Sequence, residues 1–179
     1  MEQKHTGEFF LPGNSGKYEI SVNMQRYIFA LHYCKDKIVM DASCGAGLGT
    51  YLYSCLAKRV IAVDKNDEAL EYAKQYPYEK GKVNFVKADL EKDLLPDHEV
   101  CVSLETIEHL ENPDFFLSQL KCNELVFSIP LNSLSISKFH KYDFRTIEDI
   151  KEIINRYFIV DEYFVQDNKW VYGRGKKIT

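Results

Sequence analysis

Apolar residues along this chain fall into two kinds of run. Short β-branched stretches at 37–42, 59–63, 83–86, 100–104 and 124–129 read as strands. Between and around them, apolar positions recur at helical spacing. Met24, Tyr27, Ile28 and Leu31 give a helix over 21–33 with Ser21 as its cap. Further helices are expected over 50–57, over 67–75 (stopped by Pro77), and over 115–120, started by Asn112-Pro113-Asp114. Residues 105–110 read as one helical turn. Thr146 caps a last helix over 147–155, with Glu148 and Asp149 in its first turn. Two closing strands, 157–165 and 169–173, flank the turn Gln166-Asp167-Asn168 and form a hairpin. Alternating strands and helices predict an α/β fold, a mostly parallel Rossmann-like sheet with helices on both faces and an antiparallel edge. Segments 91–99 and 131–142 read as loops, and residues 1–20 as an irregular arm that closes over a ligand site.

Composition changes this picture little. The 179 residues suit one domain, with an arm and helix over 1–35 and a core over 36–179. A net charge of −4 argues against nucleic acid as a partner. The basic tail Gly173-Arg174-Gly175-Lys176-Lys177 reads as a solvated terminus. Five cysteines without paired spacing fit reduced, mostly buried thiols. With no apolar leader and no membrane-spanning window, a soluble cytoplasmic protein without a membrane partner is expected.

The chemistry starts where the first strand ends. Asp41-Ala42-Ser43-Cys44-Gly45-Ala46-Gly47-Leu48-Gly49 is a strand, a Gly-rich turn and a helix start, the corner that admits a nucleotide-like ligand. Acids recur at later strand ends, as Asp64, Asp89 and Glu105, where an open α/β sheet has its crevice. Each alone reads as a helix cap; together they line a ligand. A dinucleotide would place its pyrophosphate at the helix start, where Asp41 disfavours it, whereas a cationic ligand tolerates that acid. With Val63-Asp64 and Ala88-Asp89-Leu90, the pattern resembles the class I S-adenosylmethionine-dependent methyltransferases over essentially the whole chain. The resemblance implies a seven-stranded sheet with its last strand antiparallel. It also implies S-adenosylmethionine as cofactor, with Gly45 and Gly47 by the methionine part, Asp64 on the ribose, and Asp89 and the Leu90 backbone on the adenine. Asp41, Ser43, Lys65 and Leu104 complete the expected cofactor contacts.

A second signal follows the fourth strand. Glu105-Thr106-Ile107-Glu108-His109 puts two carboxylates and an imidazole on one helical face, and His140 comes after the fifth strand. Glu105, Glu108, His109 and His140 can ligate a divalent metal, Mn²⁺ or Mg²⁺, and leave positions open for substrate oxygens. The same segment also admits a metal-free reading, with Glu105 on the cofactor, Glu108 in solvent and His109 in the core. With His140-Lys141-Tyr142-Asp143-Phe144, the arrangement resembles the metal-dependent 2′-O-methyltransferases that act on 3′ ends of small RNAs. Thr6-Gly7-Glu8-Phe9-Phe10-Leu11-Pro12-Gly13, Arg26-Tyr27 and 105–110 resemble, over more of the chain, bacterial and viral methyltransferases associated with polysaccharide synthesis. The chain departs from these in its short loop after the fifth strand and in carrying no glycosyltransferase domain; Ser133, Ser135 and Ser137 of that loop read as solvated. These resemblances imply an O-methyltransferase acting on a sugar or glycan hydroxyl, with His109, His140 and Glu105 as catalytic residues. The alternatives are an RNA ribose, a catechol-like quinone precursor, or a domain that binds the cofactor without catalysis.

Overall fold

A computed structural model describes residues 9–11, 13, 15–132 and 140–178. Residues 6–8 and Pro12 of the arm motif, and the serines of the loop after the fifth strand, lie outside these residues. The described chain runs α1 (Lys17–Cys34), β1 (Ile38–Ala42), α2 (Leu48–Ser54), β2 (Arg59–Asp64), α3 (Asp67–Ala73), β3 (Val83–Lys87) and β4 (Val100–Leu104). A 3-10 turn (Ile107–His109), α4 (Pro113–Gln119), β5 (Glu124–Pro130), α5 (Ile147–Ile154), β6 (Phe158–Gln166) and β7 (Trp170–Lys177) follow. The strands form one seven-stranded sheet in the order β3-β2-β1-β4-β5-β7-β6. Strands β1 to β5 pair in parallel, and β7 lies antiparallel between β5 and β6.

Strand residues alternate between two cores, as the pleat requires. Val39, Val60, Val100, Val102 and Val126 pack with Ala30 and Cys34 of α1 and Tyr53 of α2. Met40, Ala42, Ile61, Val63 and Cys101 pack on the opposite face with Phe116 and Leu117 of α4 and Ile150 and Ile154 of α5. Leu70 of α3 packs on Ala62, whose side chain shares the face of Val60. Helices therefore cover both faces. Cys34, Cys44, Cys101 and Cys122 are buried and all five cysteines are free thiols. Among the described residues, no helix is long and apolar enough to cross a membrane.

Three expectations about elements need correction. Helix α1 starts at Lys17 with Gly16 as its cap, so Ser21 lies inside it; its first turn is polar and mostly exposed, and an apolar pattern cannot show it. The tail 173–177 is no solvated terminus but the second half of β7, paired on both sides. Its glycines are steric requirements, since a Cβ at Gly173 would stand 2.5 Å from the Glu162 carbonyl oxygen and one at Gly175 2.9 Å from Phe158 Cβ. The turn after β4 is 3-10 and begins only at Ile107, because Glu105 takes a left-handed backbone at φ 50°.

Candidate functional site

The strand order turns back between β1 and β4, and the crevice above their carboxyl ends is where an open sheet binds ligands. A cavity of about 770 Å³ opens there, lined by the turn 43–49, by Asp64 and Lys65 after β2, by 88–90 after β3, and by Leu104, Glu105 and Thr106 after β4. Val22, Arg26 and Tyr27 of α1, together with His109, His140, Lys141 and Trp170, complete the wall, and Phe9 and Phe10 of the arm line it as well.

The Gly-rich corner is built by backbone geometry. Ser43, Gly45 and Gly47 all have positive φ, at 59°, 52° and 86°. That path turns the amide of Gly45 onto Oδ2 of Asp64 at 2.9 Å, while the amide of Asn66 donates to Oδ1 at 2.9 Å. Asp64 therefore closes β2 by gripping the turn after β1. Burial raises its carboxyl above the usual range, against the lowering effect of these backbone donors. Asp41, buried beneath the turn, accepts a hydrogen bond from the Thr50 hydroxyl at 2.5 Å. Burial pushes its carboxyl up to about 7, with Thr50 opposing and the Asp64 charge adding. Two buried acids held above their ordinary range favour a cationic ligand at this corner.

At the position expected to face adenine, Asp89 accepts from Lys92 Nζ at 2.8 Å and from the Glu91 amide at 3.0 Å. The Lys92 ammonium, then the Glu91 amide, hold its carboxyl below the usual range. Leu90 beside it is buried on the cavity wall.

The second signal resolves into two separate groups. Ligand atoms of Glu108, His109 and His140 all lie within 4.8 Å of one another. The two imidazole rings meet edge to face with centroids 4.5 Å apart, and His109 Nε2 stands 3.8 Å from Glu108 Oε1. The side chain of Glu108 is fully buried, and among the described residues neither of its carboxylate oxygens has a hydrogen-bond partner. Burial first, then the charge of Glu105, push this carboxyl well above its usual range. A solvent-facing Glu108 is thereby ruled out. An orphaned buried carboxylate beside two imidazoles is a donor set that fits a divalent cation.

Glu105 does not share that face, contrary to the helical-turn expectation. Its left-handed backbone turns the side chain onto Ser128, whose hydroxyl donates to Oε1 at 2.8 Å, and onto Arg26, whose Nη1 stands 2.6 Å from the same oxygen. Sequence reasoning missed Trp170 and gave Arg26 no role in the site. A cation on a helix reads as solvent-facing, and Arg26 is only 4% exposed. The signal available for Trp170 was its position after a tight turn as the chain's one tryptophan.

Residues 40–121 match the family described as "Methyltransferase domain". A probable S-adenosylmethionine-dependent methyltransferase of Mycobacterium tuberculosis is 38% identical over 80 residues, covering 43% of this chain and 28% of that protein. The mitochondrial ubiquinone biosynthesis O-methyltransferase of Schizosaccharomyces pombe is 32% identical over 89 residues, 47% of this chain and 32% of that one. The chain spans about a third or less of the length of these two curated relatives. Among solved structures, the N-methyltransferase NodS of Bradyrhizobium japonicum, in complex with S-adenosyl-L-homocysteine, aligns with a TM-score of 0.74 at 16% identity, over 93% of this chain and 90% of that chain. At that identity the likeness speaks for the fold. The match over residues 40–121 and the shared fold make this chain similar to S-adenosylmethionine-dependent methyltransferases.

Proposed function

We propose that the chain transfers a methyl group from S-adenosylmethionine to one hydroxyl of a vicinal diol on a sugar or glycan, with Glu108, His109 and His140 holding a divalent cation, Mn²⁺ or Mg²⁺. The observation that carries this reading is the buried carboxylate of Glu108, without a hydrogen-bond partner among the described residues and set beside two imidazoles that line the cavity of the Gly-rich corner. Leaving such a group unpaired is costly, and a cation relieves the cost.

In this reading, Glu108, His109 and His140 would hold the cation, and its chemistry would be to lower the pKa of an acceptor hydroxyl and orient it. The protein's own groups bind, orient and move a proton. The Asp64 oxygens accept the Gly45 and Asn66 amides and would accept a ribose hydroxyl along a remaining lone-pair direction. Asp89, with Lys65 near it, and the Leu90 amide take the adenine edge, Leu104 lines the same cavity, and the turn from Ser43 to Gly47 borders the methionine part over the buried acid Asp41. An imidazole of the His109–His140 pair that is not committed to the cation would accept the hydroxyl proton as general base. Glu105, anchored on Arg26 and Ser128, positions the acceptor wall.

Incubation with methyl-labelled S-adenosylmethionine and a panel of monosaccharides, oligosaccharides and nucleotide sugars, with Mn²⁺ and then with a chelator, tests the reading. Methyl-ether formation that falls roughly tenfold or more on chelation is expected, in line with a metal-activated nucleophile. Undiminished transfer after chelation, or transfer confined to nitrogen acceptors or short RNA, overturns it. A second reading, a catechol-like acceptor, is favoured by the similarity to the ubiquinone biosynthesis O-methyltransferase; adjacent phenolic hydroxyls in the same panel separate it from a sugar.

A further inference from the structure

Strand β6 is the outermost strand beyond β7, and no described strand pairs with its free side. An outermost strand offers an unpaired row of backbone N–H and C=O groups, which folds ordinarily blunt by short length, charge, proline or a bulge. The opposite edge follows that rule. Strand β3 is five residues long, ends on Lys87 and, among the described residues, carries no exposed large apolar side chain. Strand β6 runs nine residues with no lysine, arginine or proline, and Ile159, Tyr163, Phe164 and Val165 are 41% to 57% exposed. Its register shifts between Val160 and Glu162, which leaves 162–166 regular.

That regular segment is apolar on both faces. Tyr163 points to the α5 side, where Lys151 Nζ stands 4.6 Å from its ring centroid, and Val165 shares that side by alternation. Phe164 points to the α1 side, with ring centroids 5.6 Å from Phe29 and 5.7 Å from Tyr172, on which it stacks. A helix or a flat surface covers one face of a strand, whereas a strand paired alongside covers both. Charge does not oppose such an approach, because the acids of β6 are satisfied from within. Asp161 holds Arg174 and Lys176, and Glu162 accepts from the Tyr33 hydroxyl.

We infer that β6 pairs antiparallel with β6 of a second copy of this chain, about a two-fold axis at Phe164. That register sets Phe164 against its own copy, Tyr163 against Val165 and Glu162 against Gln166. The pairs are aromatic with aromatic, aromatic with β-branched, and acid with neutral amide, and no like charges stand opposite each other. An axis at Glu162 would oppose two carboxylates, and one at Tyr163 would set Glu162 against Phe164, so charge selects the register. None of the pairing residues lines the cavity, so dimer formation and methyl transfer are tested separately.

Sedimentation velocity of the full chain over a dilution series reads the association directly. A short strand pairing lies at the small end of interface sizes, so a dimer that dissociates on dilution through the micromolar range is expected. Val165→Lys places a charge on the edge and is expected to weaken association at least roughly tenfold, with the melting transition kept. Leu94→Lys, at an exposed apolar residue of the loop after β3, is expected to leave the dimer unchanged. A monomer at every concentration overturns the inference, as does open-ended growth or a dimer that survives Val165→Lys unchanged. Cross-linking tests the register with Cys55, the exposed native thiol, replaced by serine. Phe164→Cys lies opposite its own copy and is expected to give a covalent dimer under mild oxidation, whereas Ile159→Cys, similarly exposed, is not. Equal cross-linking of the two variants overturns the pairing. Should Val165→Lys fail to fold, the two cysteine variants decide the matter.

Discussion

The amide of Gly45 donates to Oδ2 of Asp64 across 2.9 Å, so the turn after β1 and the acid that closes β2 are one unit. Replacing Asp64 therefore removes the proposed ribose contact and loosens the turn after β1. Asp64→Ala is expected to weaken S-adenosylmethionine binding more than tenfold, about 1.4 kcal/mol or more, measured by calorimetry. Asp64→Asn retains one carbonyl oxygen for an amide and is expected to fall between the two.

Gly47 is the most constrained position of the turn. Its φ of 86° disfavours any side chain, and an added Cβ would stand 2.6 Å from both Cα and Cβ of Ala73. Gly47→Ala is expected to cost about 2 kcal/mol or more from overpacking and backbone strain. For a domain of this size that lowers the melting temperature by about 4–8 °C, as calorimetric melting will show. Unchanged melting would mean that α3 can move away from the turn.

A pH dependence follows from Asp41. Its carboxyl is raised to about 7 in the folded chain, chiefly by burial, against about 3.9 when unfolded. The folded state thus holds the proton more tightly. The resulting stability is fully present below about pH 4 and is lost as pH rises through about 7. Melting temperature without ligand is expected to fall between pH 6 and pH 8. Affinity for the cationic S-adenosylmethionine should rise over the same window as Asp41 ionises. Asp41→Asn should flatten both trends.

Glu108 offers a test that separates function from stability. In a metal-free protein its buried carboxylate is a liability, so Glu108→Gln is expected to leave the melting temperature unchanged or raise it by about 2–4 °C, a gain of about 1 kcal/mol. The same variant should lose any thermal shift produced by Mn²⁺. A loss of several degrees in the metal-free variant would instead make Glu108 a structural anchor.

What the sequence made legible is the part that rests on local patterning. The β-branched runs located all five parallel strands, and the acids at the ends of β1 and β2 located the corner, because strand ends and turns are local features. The length of β7 was hidden, since Gly173-Arg174-Gly175 has the composition of a loop and its glycines answer to contacts with Glu162 and Phe158 from the neighbouring strand. The backbone of Glu105 was hidden too. A left-handed residue leaves no mark on apolar periodicity, and its reversal is what moved one of four expected metal-corner residues onto Arg26 and Ser128. His140, distant in sequence, was grouped with His109 by its place after the fifth strand and by its surrounding motif, and the two rings meet at 4.5 Å.

The most direct test of the account is Mn²⁺ binding followed by electron paramagnetic resonance, which needs no knowledge of the acceptor. The account predicts one equivalent of bound Mn²⁺ with imidazole nitrogen couplings. His140→Ala and His109→Ala should each weaken binding at least roughly tenfold, as loss of one of three protein ligands does. Failure to bind Mn²⁺, or binding that survives both substitutions unchanged, would contradict a metal site at Glu108, His109 and His140.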